Sequence, residues 1–515
     1  MKYKNPILSG FYPDPSICRA GEDFYLVNSS FEYFPGVPVF HSKDLVNWEQ
    51  IGHCLDRNEQ LPLAKKAVNG SGMNSIGIFA PTIRYHQGIF YMVVTNVVQN
   101  GAEMGNFYVW AKDPAGPWSD PVPLNTPGID PSLFFDDDGK VYYIGTGYSN
   151  PAIYIRELDL IQQKLVGEPV GVWNGTGGSS PEGPHLYKKN GWYYLLISEG
   201  GTERCHMLTM ARSREIFGPY EPCPDNPVMT NRSLALAIES VGHGDLVEDQ
   251  NGNWWAVCLG TRMITYPHKH NLGRETMLVP VDFSGEWPVF GDHGRVLAEF
   301  ETDRLPEMES RNPWSQKEYF QDTFSSEKLD FGWNFLYNPD WSLYEWGQGC
   351  LKLHGNENAF KDAEIMAWIG RRQRHHVSET SVTLTFEALQ EGEEAGLSIF
   401  LNRMHHYEAA LVFTDGVRKL VMKRQICSMK QAEFEMEYPD STVTLKLESD
   451  PAAYRFYWKR PDGSWALLGE GETAYLTTEV GGMFTGNYIA LYSTGNGKKC
   501  SACAEFTDYS YSGGN

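Results

Sequence analysis

The stretch Asp130-Pro131-Ser132-Leu133, followed by the turn pair Asp138-Gly139 and the aromatic pair Tyr142-Tyr143, is one copy of a pattern that recurs five times in the first 260 residues. Each copy has a short entry segment, a turn that contains glycine and an aromatic pair that opens a second strand. The other four copies have their entry segments at Asp14, Ala80, Glu182 and His243. Asp-Gly and Asn-Gly between apolar segments are strong hairpin signals, so each copy predicts a β-hairpin.

The spacing of the copies predicts how the hairpins assemble. They start roughly 50 to 70 residues apart, which leaves room for four strands per unit, the size of a propeller blade. Five units therefore predict a five-bladed β-propeller. Because the first strands of blades line the central channel, five blade-start residues are expected to converge at one of its mouths. These residues are Asp14, Ala80, Asp130, Glu182 and His243.

The second part of the chain has a different periodicity. After Leu305-Pro306 a polar stretch leads into segments such as 381–386 and 443–447, in which apolar and polar residues alternate as in half-buried strands. We assign residues 1–305 to the propeller, 306–319 to a linker and 320–515 to an antiparallel β-sandwich. The predicted fold class is all-β.

Charge, hydropathy and cysteine content exclude several classes of protein. Lys and Arg total 43 against 65 Asp and Glu, a net charge of -22, which would repel a nucleic acid backbone. No apolar run approaches the ~18 residues of a membrane span, and the start has no apolar signal region. Nine scattered cysteines favour reduced thiols over a disulfide framework. We therefore expect a cytoplasmic protein without a nucleic acid or membrane partner.

Three of the five blade-start residues are acids. Asp14, Asp130 and Glu182 occupy equivalent positions on three blades. Like charges that converge in one cleft repel each other, and an arrangement maintained against that cost indicates acid and base chemistry. The ligand spacings of Ca²⁺ loops and Zn²⁺ sites do not occur at these positions.

The same motifs, together with others, closely resemble glycoside hydrolase family 43. The resemblance spans nearly the whole chain, and its motifs occur in the family's order. They are Tyr12-Pro13-Asp14-Pro15-Ser16, Phe31-Glu32-Tyr33-Phe34-Pro35-Gly36, Ala80-Pro81-Thr82, Gly128-Ile129-Asp130-Pro131-Ser132, Pro181-Glu182-Gly183-Pro184, Leu272-Gly273-Arg274-Glu275-Thr276 and Phe484-Thr485-Gly486.

The resemblance implies a fold and a catalytic role for each of the three acids. The family's two-domain β-xylosidases and α-L-arabinofuranosidases have a five-bladed propeller followed by a sandwich of the concanavalin or jelly-roll type, which packs on the active-site side. Asp14 would be the general base, Glu182 the general acid, and Asp130 the carboxylate that orients Glu182 and raises its pKa. Glycoside cleavage needs a protonated acid beside the leaving oxygen and an ionised base across the ring, which agrees with this division.

The resemblance also implies residues that bind the sugar. Arg274 matches a sugar-binding arginine, whose planar donors suit two sugar oxygens or a carboxylate partner. Phe31 matches an aromatic wall, and Phe484 would reach back from the second domain to close the pocket. Phe79 stands where many β-xylosidases of this kind carry Trp, a departure from the pattern. His243 lies where relatives hold a water or a metal ion, so the central channel is a candidate place for Ca²⁺ or another cation. No cofactor is required.

We therefore expect an inverting, exo-acting glycosidase that removes terminal D-xylose from β-1,4-linked xylo-oligosaccharides. α-L-Arabinofuranosidase activity on arabinosylated oligosaccharides, alone or alongside, is the alternative. The retaining invertase-like group is a further alternative, but its Asn-Asp-Pro-Asn opening is absent, because Tyr12-Pro13 precedes Asp14. A sugar-binding propeller without catalysis is the alternative from another class. Assembly into a homo-oligomer stays open.

Overall fold

The computed structural model describes residues 2–63, 75–97, 104–264, 266, 268–305, 317–362, 364–482 and 484–514, and strands form almost all of the regular structure in these ranges. The predicted linker, 306–319, lies mostly outside the described residues. No helix in the described part of the chain is long and apolar enough to cross a bilayer.

The described residues of the first part of the chain form 24 strands. They are β1 (Lys2–Lys4), β2 (Ser16–Ala20), β3 (Asp23–Val27), β4 (Tyr33–Phe34), β5 (Gly36–Ser42), β6 (Glu49–Leu55), β7 (Gly77–Ile78), β8 (Thr82–His86), β9 (Ile89–Val97), β10 (Met104–Ala111), β11 (Val122–Leu124), β12 (Ile129–Phe135), β13 (Val141–Thr146), β14 (Ile153–Asp159), β15 (Lys164–Trp173), β16 (Glu182–Lys189), β17 (Trp192–Glu199), β18 (Met207–Ser213), β19 (Glu221–Pro222), β20 (Ile238–Glu248), β21 (Trp254–Arg262), β22 (Glu275–Asp282), β23 (Val289–Phe290) and β24 (Glu299–Glu301).

These strands form a five-bladed propeller, which confirms the prediction. The antiparallel blades are β2-β3-β5-β6, β8-β9-β10-β11 with β7 also on β9, β12-β13-β14-β15, β16-β17-β18-β19 and β20-β21-β22-β23. Their first strands, β2, β8, β12, β16 and β20, contact one another in a closed ring around the channel. The pairing of β1 with β24 joins the two ends of the propeller chain.

The hairpin turns show why the repeat could be recognised. At Asn190-Gly191, between β16 and β17, both residues have positive φ, 52° and 74°. Gln87-Gly88, between β8 and β9, has 49° and 83°. Two consecutive left-handed residues match the twist of a two-residue hairpin, and glycine at the second position relieves the steric cost.

The described residues of the second part of the chain, together with β4, form a sandwich of two eight-stranded sheets. Its elements are β25 (Glu318–Asp322), β26 (Asn334–Leu336), β27 (Tyr344–Gly347), β28 (Cys350–His354), β29 (Ala367–Arg372), β30 (Ser378–Phe386), β31 (Glu394–Asn402), β32 (His405–Thr414), β33 (Val417–Ile426), β34 (Met429–Glu437), β35 (Thr442–Ser449), β36 (Ala453–Lys459), β37 (Trp465–Glu472), α1 (Thr478–Gly481), β38 (Tyr488–Thr494) and β39 (Cys503–Gly513). In β30, Val382, Leu384 and Phe386 are buried in the core between the sheets and alternate with more exposed residues, as predicted.

The two sheets contain different strands. One runs β27-β28-β39-β30-β35-β36-β37, with β25 also paired to β39. The other runs β34-β33-β32-β31-β38-β29-β26-β4. Its last strand, β4, comes from the propeller half of the chain, a pairing that the sequence did not predict.

An aromatic interface holds the propeller and sandwich together. Phe34 of β4 lies opposite Phe335 of β26, and Tyr33 stacks on Tyr488 with ring centroids 4.0 Å apart. Arg372 of β29 donates from Nε to the carbonyl of Phe11, at 2.7 Å. Aromatic pairs of this kind contribute about 0.5–1.5 kcal/mol each beyond the area they bury. The propeller and the sandwich are therefore packed directly against each other.

Candidate active site

The blade-start residues meet where the backbone leaves regular strand geometry. The pairing of β12 with β13 shifts register between Ile129 and Ser132, and that of β16 with β17 between Glu182 and His185. Asp14, Asp130 and His243 have φ values of 51°, 53° and 44°. Left-handed backbone at a non-glycine residue costs of order 1–3 kcal/mol and is concentrated at functional sites. Here it turns the side chains towards the channel mouth.

A small pocket at this mouth contains all eight residues that the sequence assigned to the site. Its volume is about 100 Å³, well below the roughly 300–1,000 Å³ of pockets for drug-sized ligands. It is lined by Asp14, Phe31, Phe79, Ala80, Ile129, Asp130, Glu182, Thr202, His243, Arg274 and Phe484.

Asp14 is a buried carboxylate held by an arginine. Arg274 donates from Nη1 to Oδ1 at 2.7 Å and from Nη2 to Oδ2 at 3.3 Å, and Ser29 donates its hydroxyl to Oδ2 at 2.5 Å. Burial alone would raise the pKa of Asp14, but Arg274, His243 and the Ser29 hydrogen bond outweigh it and hold the pKa below its ordinary value. Asp14 is therefore ionised near neutrality, as a general base must be.

The other two carboxyls share a histidine with Asp14. His243 Nδ1 lies 3.9 Å from Asp14 Oδ1 and 4.0 Å from Glu182 Oε1. Burial would lower the pKa of His243, but Glu182, Asp14 and Asp130 raise it to about 9. Burial, together with repulsion from Glu182 and Asp14, raises the pKa of Asp130 to about 7 despite the attraction of His243. The cluster thus retains a proton near neutrality.

The shared histidine also limits the separation of Asp14 and Glu182. Because one nitrogen lies within 4.0 Å of an oxygen of each, those oxygens of Asp14 and Glu182 are at most about 8 Å apart. This bound admits the spacing of about 6.5–9.5 Å between the carboxyl groups of inverting glycosidases and the shorter spacing of retaining ones.

Three phenylalanines form the apolar wall of the pocket. The ring of Phe31 lies 5.1 Å from that of Phe79 and 5.9 Å from that of Phe484, between centroids. Phe484 belongs to the sandwich, and its backbone N–H donates to Ser75 Oγ at 3.0 Å. With 40% of its surface exposed, it stands at the edge of the pocket. The sandwich thus supplies part of the site.

Two glycines explain how the sandwich comes so close. A Cβ on Gly273 would lie 2.9 Å from the backbone nitrogen of Gly486, and a Cβ on Gly486 would lie 2.3 Å from the carbonyl oxygen of Leu272. Either would be a clash with backbone. The motifs around Arg274 and Phe484 are therefore in direct backbone contact, and glycine permits it.

The sequence reasoning missed two polar residues at this site. Thr202 Oγ1 accepts a hydrogen bond from Arg274 Nη1 at 2.9 Å. His206 is completely buried, and its Nε2 lies 3.9 Å from Glu182 Oε1. Both follow β17 on a connecting loop rather than opening a blade, so the blade-start pattern could not identify them. Nothing in the local sequence marks His206, because the close packing of Gly242 against its ring is visible only in the structure.

The described side chains around the channel beneath the pocket are already paired with one another. Among the described residues, no group of three or more His, Cys, Asp or Glu side chains is arranged to hold a metal ion. Below His243, Arg84 donates to both oxygens of Asp245, at 2.7 and 3.0 Å, and Ser16 and Tyr187 donate to the same carboxylate at 2.6 Å. The positive charge beside the carboxylate of Asp245 is therefore supplied by the guanidinium of Arg84.

Comparison with family models divides the chain as the fold does. Residues 3–288 match the model described as "Glycosyl hydrolases family 43". Residues 321–512 match the model described as "Beta xylosidase C-terminal Concanavalin A-like domain".

Three similar proteins match almost the whole chain. A xylosidase/arabinosidase of Butyrivibrio fibrisolvens is 42% identical over 98% of both chains. A non-reducing end α-L-arabinofuranosidase of Bacteroides ovatus is 40% identical over 98% of this chain and 93% of its own. The crystal structure of a xylan β-1,4-xylosidase from Bacillus halodurans superposes with a TM-score of 0.91, at 32% identity and 99% coverage of both chains.

Proposed function

This chain belongs to glycoside hydrolase family 43, and on that premise we propose that it is an exo-acting, inverting glycosidase that releases terminal D-xylose from β-1,4-linked xylo-oligosaccharides. Membership of the family makes it an enzyme that hydrolyses O-glycosyl bonds. The proposal adds the substrate, the mode of attack and the roles of the residues. The observation that carries it is the convergence of Asp14, Asp130, Glu182 and Arg274 in one small pocket.

We assign the base to Asp14 and the acid to Glu182. The ion pair with Arg274 favours the ionised form of Asp14, which suits removal of a proton from water. Glu182 is less buried than Asp14, with 19% of its side chain exposed, so a leaving group can reach it. Asp130 lies in the same pocket, where its negative charge and that of Glu182 repel each other. We propose that its charge helps Glu182 to keep a proton.

The reaction follows as a single displacement. Protonated Glu182 gives its proton to the glycosidic oxygen as the bond from C1 breaks, and the bonding electrons leave with that oxygen. Asp14 takes a proton from a water molecule whose oxygen forms the new bond to C1 from the opposite face. Glu182 ends ionised and Asp14 protonated, and proton exchange with solvent restores both. Enzymes of this family are generally cofactor-independent, and each group in this scheme is a side chain of the pocket.

Arg274 and the phenylalanine wall are proposed to hold the terminal sugar. Arg274 lines the pocket, and its buried Nε has no hydrogen-bond partner within the described ranges, so we propose that its guanidinium shifts on substrate binding and donates to a sugar hydroxyl. Phe31 offers an apolar face to the C–H groups of the ring. Together they favour a sugar bound by one hydroxyl edge and one ring face.

Exo action is supported by the dimensions and floor of the pocket. A volume of about 100 Å³ accommodates a single sugar ring rather than a chain segment. Beneath it, the buried ion pair of Arg84 and Asp245 joins the first strands of the second and fifth blades. A substrate is therefore expected to enter with its terminal residue and leave by the same mouth.

A second candidate, α-L-arabinofuranosidase activity alone or alongside, is favoured by two observations. Two of the similar proteins carry arabinosidase or α-L-arabinofuranosidase in their names. Phe79 also replaces the larger indole found in many β-xylosidases, which changes the shape of the first subsite. Furanose and xylopyranose rings present similar hydroxyl patterns to a small pocket.

The deciding experiment is a hydrolysis panel. It compares p-nitrophenyl β-D-xyloside, p-nitrophenyl α-L-arabinofuranoside, xylobiose and an arabinosylated xylo-oligosaccharide by kcat/KM. The proposal expects xylobiose to be cleaved and the β-xyloside to be the better aryl substrate. A preference for the arabinofuranoside supports the second candidate. Binding without turnover of all four would support a non-catalytic sugar-binding propeller.

A cytoplasmic location belongs to the same proposal. All nine cysteines lie within the described ranges and are free thiols, which suits a reducing compartment. Short oligosaccharides, rather than polymeric xylan, are the substrates expected there.

A further inference from the structure

His206 is a buried imidazole beside the general acid that no step of the proposed reaction uses. It lies directly before β18, and its Nε2 is 3.9 Å from Glu182 Oε1. Neither ring nitrogen has a hydrogen-bond partner within the described part of the chain, although the residue is completely buried. A buried polar group without a partner costs about 1–3 kcal/mol, so its presence requires a reason.

The surrounding backbone is adapted to hold this ring in place. A Cβ on Gly242 would lie 2.0 Å from His206 Cδ2, so only glycine at that position of β20 admits the imidazole. The backbone of His206 is fixed as well, because its N–H donates to the carbonyl of Glu203 at 3.0 Å and its carbonyl accepts from Thr230 Oγ1 at 2.9 Å. The ring is therefore held rigidly, while Glu182 is partly exposed and can turn.

His206 differs in charge from the neighbouring His243. Burial is the main cause that lowers the pKa of His206 to about 4, and the positive charges of His243 and Arg274 lower it further, against the attraction of Glu182 and Asp14. His206 is therefore neutral near pH 7, whereas His243 is protonated. As a neutral group, His206 adds no second positive charge beside the carboxyl group of Glu182.

We propose that His206 is a positioning residue for Glu182: as a neutral imidazole it donates Nε2–H to Oε1 of the carboxyl group, so that the transferable proton is carried on Oε2. This inference rests on the proposed function, since it concerns the general acid of that reaction. The atoms balance without any change in His206. Glu182 loses the Oε2 proton to the glycosidic oxygen, and His206 keeps its own proton throughout.

The separation of 3.9 Å is longer than a hydrogen bond. Catalytic hydrogen bonds are often long without substrate and tighten in the complex. A turn of the partly exposed Glu182 by about 1 Å brings its oxygen within range. The fixed donor then selects one orientation of the acid, which is the kind of preorganisation that proton transfer requires.

The test compares His206→Leu with His206→Gln. Leucine removes the donor at similar volume, whereas the amide of glutamine presents a neutral N–H close to the position of Nε2. Each variant is assayed on two substrates that carry the terminal pentose that the wild-type enzyme releases. In one substrate the leaving group is a second sugar, and in the other it is p-nitrophenol. The ratio of the two kcat/KM values does not depend on the folded fraction, so partial unfolding cannot imitate the result. Thermal unfolding midpoints are measured alongside.

We expect His206→Leu to lose at least about tenfold in kcat/KM with the sugar leaving group and less than about threefold with p-nitrophenol, because only the poor leaving group needs the acid. His206→Gln should recover most of the loss. Equal losses on both substrates, no loss at all, or identical behaviour of the two variants would overturn the inference. Failure of the proposed function is distinguishable, since it would appear as inactivity of the wild-type enzyme on these substrates.

Discussion

Arg274 and Asp14, 260 residues apart in the sequence, form a buried two-contact ion pair at the mouth of the propeller channel. The pair joins the segment before the first blade's first strand to the segment before the fifth blade's third strand. Because both side chains are buried, their interaction is only weakly screened by solvent or salt. It sets the charge state of the proposed base and connects that base to the sandwich, since Arg274 Nη2 also lies 3.4 Å from the carbonyl oxygen of Phe484.

The first prediction concerns the pH dependence of Arg274→Ala. Removing the guanidinium leaves burial as the largest influence on Asp14 and raises its pKa. A base works only when ionised, so the acidic limb of the kcat/KM profile should move to higher pH by at least about one unit. Arg57→Ala, which breaks an exposed pair with Asp120, is the control and should leave the profile in place. A uniform loss of activity with an unmoved acidic limb would contradict this role.

The second prediction concerns Glu182→Ala and the acidity of the leaving group. A leaving sugar needs a proton from the acid, whereas p-nitrophenolate departs without one. We expect kcat/KM on xylobiose to fall by about 10²–10⁴-fold and the loss on the p-nitrophenyl glycoside to be much smaller. Asp14→Ala is the matched control, and it should damage both substrates alike because water must be activated in either case. Similar losses on both substrates for Glu182→Ala would remove it from the acid role.

The site could be predicted from sequence where local rules determine it. Turn pairs such as Asn190-Gly191 identify hairpins, and a hairpin repeated five times determines which residues open each blade. The repeat therefore identifies four of the site residues, which are Asp14, Asp130, Glu182 and His243. The structure confirms the propeller and brings these side chains into one pocket.

The remaining features depend on contacts between distant segments, which no local pattern encodes. β4 completes a sheet of the sandwich by pairing with β26, about 300 residues away along the chain. Thr202 and His206 reach the pocket from a loop whose sequence carries no periodicity. Their placement depends on the packing of β18 against β20, and the tight contact at Gly242 becomes informative only once that packing is known.

The third prediction concerns Phe484, the sandwich residue at the edge of the pocket. Phe484→Ala removes an apolar wall next to Phe31 and Phe79 and opens the site to water. We expect KM to rise and kcat/KM to fall at least about tenfold, since water exclusion strengthens the electrostatic contacts inside. Leu389→Ala, at an exposed apolar position of the sandwich, should leave both constants unchanged.

Removal of the whole sandwich extends the same reasoning. Deleting residues from about 320 onward takes away Phe484 together with the partner strand of β4, and should abolish activity even where the propeller stays folded. Circular dichroism establishes folding independently of activity. A folded propeller that retains full activity would show that the sandwich is dispensable for the site.

The last prediction is the stereochemistry of the product. A single displacement inverts the anomeric centre, so a β-xyloside must first release α-xylose. Proton NMR of the anomeric region in the first minutes, before mutarotation mixes the anomers, observes the primary product directly. An α-L-arabinofuranoside, if it is the better substrate, should release β-arabinose for the same reason.

The geometry makes this outcome a test of Asp14 itself. Asp14 Oδ1 and Glu182 Oε1 are at most about 8 Å apart, and an inverting site needs about 6.5–9.5 Å between its carboxyl groups to seat a water between base and sugar. With the water in place, Asp14 receives a proton and forms no bond to the sugar. Retention would mean that Asp14 instead attacks C1 and forms a covalent intermediate. β-Xylose as the first product would therefore convert the proposed base into a nucleophile and overturn the single-displacement mechanism, while leaving Glu182 as the acid.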